Sequence, residues 1–113
     1  MVAFIGPEAL ANDPRRVAED AVGRQADRGD WWLHVDLDVL STESLSAVDY
    51  RLPGGIDWDQ LTEFTRRLLA APGVIGWDVT IYNPDLDPDG DGARRIVRYL
   101  ADSLEGRLAA STR

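Results

Sequence analysis

The chain has 113 residues, 44% of them apolar and 28% charged, with 20 acidic residues against 12 Lys and Arg for a formal charge of −8. One globular domain over 1–113 is expected from that size and balance, and an acidic surface argues against nucleic acid or anionic membrane as partners. Without Cys there is no disulfide framework or thiolate chemistry, and without a basic leader or an apolar run near roughly 18 residues the chain reads as soluble and cytoplasmic.

Residues 2–5 form a short apolar run stopped by Gly6-Pro7 and read as a buried strand. Asp13-Pro14 supplies an N-cap with proline at the first helical position, and Val17, Ala18, Ala21, Val22 and Ala26 then recur at helical spacing up to Gly29. A second strand covers 31–39, and its nearly unbroken apolarity predicts burial on both faces. A loop over 40–55 ends in Pro53-Gly54-Gly55. Asp57 and Gln60 have capping-box spacing, with Ile56 and Leu61 as the staple, and they open a helix that Pro72-Gly73 stops. A third strand over 74–82 leads through an acidic loop into a helix starting near Asp91, whose buried side is predicted as Ala93, Ile96, Val97, Leu100, Ala101, Leu104 and Leu108. The order βαβαβα calls for right-handed crossovers and a parallel α/β sheet. So small a sheet leaves an exposed edge, which invites a second copy or a complementary subunit.

Asp36 and Asp38 place two ionised groups in an apolar strand. Strand alternation points both to one face about 6.6 Å apart, where an effective dielectric near 20 leaves about 2.5 kcal/mol of repulsion. A divalent cation, a basic neighbour or a solvated strand end would each relieve it. His34 is the only His, and the same alternation puts it on that face. Asp78, in the third strand, reads as a carboxylate that supports the metal ligands or faces substrate, or as the partner of an Arg.

The acidic loop has Asp85, Asp87 and Asp89 at positions 1, 3 and 5 of a calcium loop and Gly90 at position 6, but position 12 is Ile96 where a bidentate Glu is needed. A solvated turn whose acids cap the next helix accounts for it better. Trp58 and Trp77 fit core positions, and Trp31 and Trp32 open a strand, so packing explains all four Trp better than ligand stacking. Arg15-Arg16, Arg66-Arg67 and Arg94-Arg95 read as solvated helix faces. No phosphate-cradling glycine loop or serine-nucleophile motif is present.

The run from His34-Val-Asp36-Leu-Asp38 through Ala47-Val-Asp49 to Pro53-Gly54-Gly55, with Gly76-Trp-Asp78-Val-Thr-Ile81-Tyr-Asn83-Pro84 downstream, resembles the carboxyl-terminal signature of the arginase, agmatinase and formimidoylglutamase (ureohydrolase) family. The resemblance implies a three-layer α/β/α fold with a parallel sheet and a binuclear manganese site. In it Asp36 bridges the two ions and Asp38 binds one, while a metal-bound hydroxide attacks a guanidinium or formimino carbon. Several positions depart from the family's pattern. His34 replaces a usual Ser or Thr, Ser41-Thr42 replaces an Asp-Pro, Ser46 replaces a Pro, and Ile81 stands where many members carry a Glu that engages the substrate guanidinium. The family's remaining ligands, an earlier His and an Asp-x-His-x-Asp run, have no counterpart before residue 30. Two functions are therefore expected to compete. One is a manganese-dependent hydrolase of guanidino, amidino or formimino compounds, inactive as the isolated chain. The other is a non-catalytic fragment or interaction module of the same fold.

Overall fold

The computed structural model describes residues 4–46 and 55–111, with the side chains of 110 and 111 left aside, so half of the expected loop, including Ala47, Asp49, Pro53 and Gly54, lies outside the described residues. Helices α1 (Pro7–Asn12) and α2 (Pro14–Gln25) are followed by strand β1 (Trp31–Asp36) and a 3-10 turn (Leu37–Val39). Helix α3 (Trp58–Ala70), strand β2 (Val74–Thr80), a second 3-10 turn (Pro84–Leu86) and helix α4 (Asp91–Ser111) complete the order. β1 and β2 pair in parallel through the α3 crossover, as the spacing predicts.

Local signals act where the sequence places them. The Asp13 carboxylate accepts the Arg16 N–H at 3.1 Å and caps α2. Asp57 accepts from the Gln60 N–H at 2.8 Å and Gln60 returns the bond to the Asp57 N–H at 3.0 Å, so the capping box of α3 is complete. Ile56 and Leu61 are both buried beside it.

Two expectations are corrected. Residues 4 and 5 are in no strand, and the chain instead enters α1 with Pro7 in its first turn; a strand needs a neighbour to share its ladder, and the described residues offer none there. Among the described residues the sheet accordingly has two strands. β1 is not buried on both faces. Leu33 and Val35, with Trp77 and Val79 of β2, face the helices, whereas Trp32 and His34 are exposed on the opposite side. A register irregularity at Trp31/Trp32 leaves Ile75 outside the pairing and in solvent.

The core lies between the sheet's inner face and helices α2, α3 and α4. Tyr99 of α4 is 2% exposed, and its ring meets Trp58 at 5.8 Å and Trp77 at 5.7 Å between centroids. Its hydroxyl shares a 2.8 Å hydrogen bond with Thr65 of α3. α4 buries Tyr99, Ser103 and Gly106, while Val97, Ala101, Leu104 and Leu108, expected inside, are exposed. The apolar arc of α4 is wider than one neighbour can cover, and α3 takes the side carrying the small residues. Arg66 and Arg67 are not free solvated faces either. Arg66 donates to the Asp102 carbonyl at 2.8 Å, and Arg67 pairs with Glu63 at 2.8 Å.

At Gly106 α4 packs closely on α3, since a Cβ there would lie 2.6 Å from the Arg66 carbonyl oxygen. Gly23, within α2, has nothing within 4 Å of a Cβ. Gly106→Ala should therefore destabilise by about 1–3 kcal/mol by forcing the helices apart, and Gly23→Ala should stabilise by about 0.5–1 kcal/mol. Thermal unfolding checks both, at about 4–8 °C per kcal/mol for a domain this small.

Candidate active site

Asp36 is the last residue of β1, so its carboxylate stands at the carboxyl end of a parallel strand, where ligand crevices of open α/β sheets lie. Asp38 does not continue the strand. The chain turns into the 3-10 segment directly after Asp36, and strand alternation stops relating the two residues. What relates them is a turn: the Asp36 Oδ1 accepts the Asp38 N–H at 2.8 Å. This Asx-type bond ties the Asp38 backbone to the strand end, so both residues stand at one end of the sheet. Asp36 is half-buried and Asp38 is exposed.

The backbone after these residues is held tightly. Ile56 N–H donates to the Val39 carbonyl at 2.9 Å and Ser41 N–H to the Ile56 carbonyl at 2.8 Å, an isolated parallel bridge between Leu40 and Ile56. Gly55 makes it possible. Its φ is +108°, and a Cβ would lie 2.7 Å from both the Ser41 nitrogen and the Val39 oxygen. Trp58, at the start of α3, donates its indole N–H to the Ser44 carbonyl at 2.9 Å, fixing the next turn.

His34 and Asp78 are directly paired in the ladder, while Asp36 faces Thr80. Asp78 therefore lies one step back from Asp36, on the open face of the sheet. Its partners are not an Arg: Oδ1 accepts the Trp32 indole N–H at 2.6 Å, and Oδ2 is 2.7 Å from His34 Nδ1. The indole bond first and the His34 contact second hold the Asp78 carboxyl below its usual pKa. Trp32 is 59% exposed and lies across Gly76, where a Cβ would collide with its ring. The sequence marks Trp32 as packing, and the structure makes it the lid on Asp78. Its indole N–H and the side-chain-free Gly76 two residues before Asp78 are the signals that would have found this role.

At the end of β2, Ile81 adopts φ +73°. A β-branched residue in the left-handed region is strained by roughly 1–3 kcal/mol. The acidic loop beyond is organised by Asp87, which accepts the Tyr82 hydroxyl at 2.6 Å, Gly92 N–H at 2.9 Å and Ala93 N–H at 2.9 Å. These bonds, Tyr82's foremost, lower the Asp87 pKa, and Asp87 in turn raises that of Tyr82. Both carboxylate oxygens are thus committed to capping α4. Ile96 packs on the core, as the capping reading of the loop expects.

Carboxylate oxygens suit a hard divalent cation, but their number falls short. Among the described residues no group of three or more His, Cys, Asp and Glu could hold a metal. The residues present match manganese in donor type and not in donor count. A groove of about 480 Å³ runs between α2, α3 and α4, lined by Glu19, Glu63, Arg66 and Arg67 among others, and Asp36 and Asp38 are not in its lining. No helix among the described residues is long and apolar enough to cross a membrane.

The arginase family profile matches residues 4–104. A formimidoylglutamase from Chromobacterium violaceum is 34% identical over 77 residues, covering 68% of this chain and 25% of that protein. The arginase of Helicobacter pylori superimposes with a TM-score of 0.80 at 16% identity, over 94% of this chain and 36% of that one. A Trypanosoma cruzi formiminoglutamase solved with Mn2+ gives 0.74 at 18% identity, over 83% and 32%. The chain thus spans about a quarter to a third of the length of the proteins it matches.

Two outcomes follow from this geometry. Asp78 stabilises the fold at pH values above the ordinary carboxylate range, and that contribution is lost as pH falls through its lowered pKa. In a two-dimensional NMR titration, the acid-side midpoint of the Trp32 indole N–H shift should fall below the ordinary Asp value of 3.8. Gly55→Ala should cost at least about 1–2 kcal/mol in urea unfolding, from the left-handed backbone alone.

Proposed function

The chain belongs to the arginase family, and from that membership we propose that it forms the carboxyl-terminal part of a manganese-dependent hydrolase cleaving the C–N bond of a formimino, guanidino or amidino compound. In this reading Asp36 and Asp38 are the carboxylates with which the chain would hold the metal, which would supply an activated water when bound. Asp78 and His34 line the approach on the open sheet face, Asp78 fixing the imidazole through Nδ1. The observation that supports the reading is that Asp36 is the last residue of β1 and that its carboxylate accepts the Asp38 backbone N–H in the turn beyond the strand. A formimino substrate is favoured over arginine because Ile81, an apolar side chain, occupies the position where many members carry a carboxylate for a guanidinium. The Mn2+ in the Trypanosoma cruzi structure supports the choice of metal.

The missing ligands must come from other polypeptide, whether a second chain or further sequence. Two carboxylates cannot hold two ions and leave a water position. The same shortage of ligands supports a second reading, in which the chain keeps the fold as a non-catalytic interaction module.

A chimera separates the two. This chain is placed in the position of the matching quarter of the Chromobacterium violaceum formimidoylglutamase, and manganese-dependent hydrolysis of formimidoylglutamate is assayed. Activity is expected in the chimera, with loss in Asp36→Asn and a drop of roughly tenfold or more in Asp38→Asn. The 113-residue chain alone should show no measurable hydrolysis with excess manganese. A folded chimera without activity overturns the hydrolase reading in favour of the interaction module.

A further inference from the structure

α4 carries a second apolar stripe that the fold does not use. Val97, Ala101, Leu104 and Leu108 are all exposed, at 64% for Val97, 46% for Leu104 and 65% for Leu108. Their spacing of four, three and four residues is that of a helix–helix seam, with apolar side chains recurring at alternate steps of three and four. At about 100° per residue, the stripe falls nearly opposite Tyr99, Ser103 and Gly106, which face the core. It therefore projects outward from the domain and is not a margin of the α3 contact. Its length is about 16 Å at ~1.5 Å per residue.

We propose that this stripe pairs with the same stripe of a second copy, the two α4 helices running antiparallel about a two-fold axis between Ala101 and Leu104. The stripe is self-complementary in that arrangement. Val97 meets Leu108 of the other copy, Ala101 meets Leu104, and the two relations repeat by symmetry, as a two-fold contact requires. The charges beside the stripe agree. Arg98 and Glu105 flank it on the same side, and antiparallel pairing brings Arg98 of each copy opposite Glu105 of the other, about 3 Å apart in axial height at ~1.5 Å per residue. In a parallel two-fold pair the Arg98 and Glu105 side chains of the two copies would instead lie on opposite sides of the seam and could not meet. Glu105 is already 3.1 Å from Arg66 within its own chain and remains 65% exposed, so it can accept a second cation. This pairing does not depend on any activity of the chain.

Sedimentation velocity with charge-reversed variants tests it. The unaltered chain should form a dimer, and Leu104→Glu should leave a monomer with unchanged circular dichroism. Arg98→Glu and Glu105→Arg should each weaken the dimer about tenfold or more, because each alone places like charges opposite one another. Mixed in equal amounts, the two variants should associate again. The carboxylate introduced at position 98 of one then faces the guanidinium introduced at position 105 of the other, and the unaltered Glu105 of the first faces the unaltered Arg98 of the second. That recovery also separates the interface from loss of the Arg66 bridge, which mixing cannot restore. A monomer across the concentration range, a dimer indifferent to both reversals, a mixture no tighter than its components, or association surviving Leu104→Glu would each overturn the proposal.

Discussion

The Tyr99 side chain is the contact on which the rest of the fold depends. It reaches from α4 to α3 through the Thr65 hydroxyl and to β2 through the edge of the Trp77 ring, and Trp58 closes the remaining side. One buried residue thereby sets the separation of two helices and their height above the sheet. Burial pushes the Tyr99 hydroxyl far above its usual pKa, partly offset by Thr65, so it stays neutral and serves as a structural hydrogen-bonding group. Without a fixed α3 there is no fixed Trp58, and the Ser44 turn beyond the candidate carboxylates loses its anchor. The core contact and the site are one mechanical unit.

Much of this was legible in the sequence because the signals were local. Asp13, Asp57 and Gln60 cap where their spacing says, and Asp87 caps α4 as the acids of a helix-leading turn should. The Asp36 and Asp38 pair was visible for its chemistry, an ionised pair within apolar residues. Its geometry was not, because an Asx turn depends on where the strand stops, and alternating hydrophobicity does not mark that end. Residues 4 and 5 lie outside any strand for another reason: a strand is completed by its neighbour, and the sequence pattern cannot say whether one is present. The outer side of α4 was misassigned on the same ground. Its apolar period is real, but periodicity states that a face is apolar and not which partner buries it.

The open sheet face and the incomplete ligand set describe the same shortage. Parallel sheets are normally covered on both sides, and here the uncovered side carries Trp32, His34, Asp36 and Asp78. Polar and aromatic groups on such a face suit an enclosed polar site better than a water-exposed surface. The Trp32 indole over Gly76 gives Asp78 a partial cover on this open face. In the proposed function, one wall of a pocket comes from this chain: two carboxylates, the imidazole held by Asp78 and an apolar Ile81 at the strand end. The strained backbone at Ile81 sits at that same rim, where a left-handed residue turns the chain away from β2 before it can extend the ladder.

The parallel ladder also dictates an order of assembly. Trp32 and His34 reach Asp78 across 46 and 44 residues of chain, and closing a loop of that length costs about 3 kcal/mol beyond a constant term. Nothing in either strand offsets that cost until α3 has folded and shortened the path. Helix pairing should therefore precede strand pairing, and during that interval the edges of both strands and the apolar residues Val35 and Val79 are uncovered together. The interval is when the chain is most open to association through its strands, so the speed with which α3 closes the crossover governs how much of a newly made population reaches the native state.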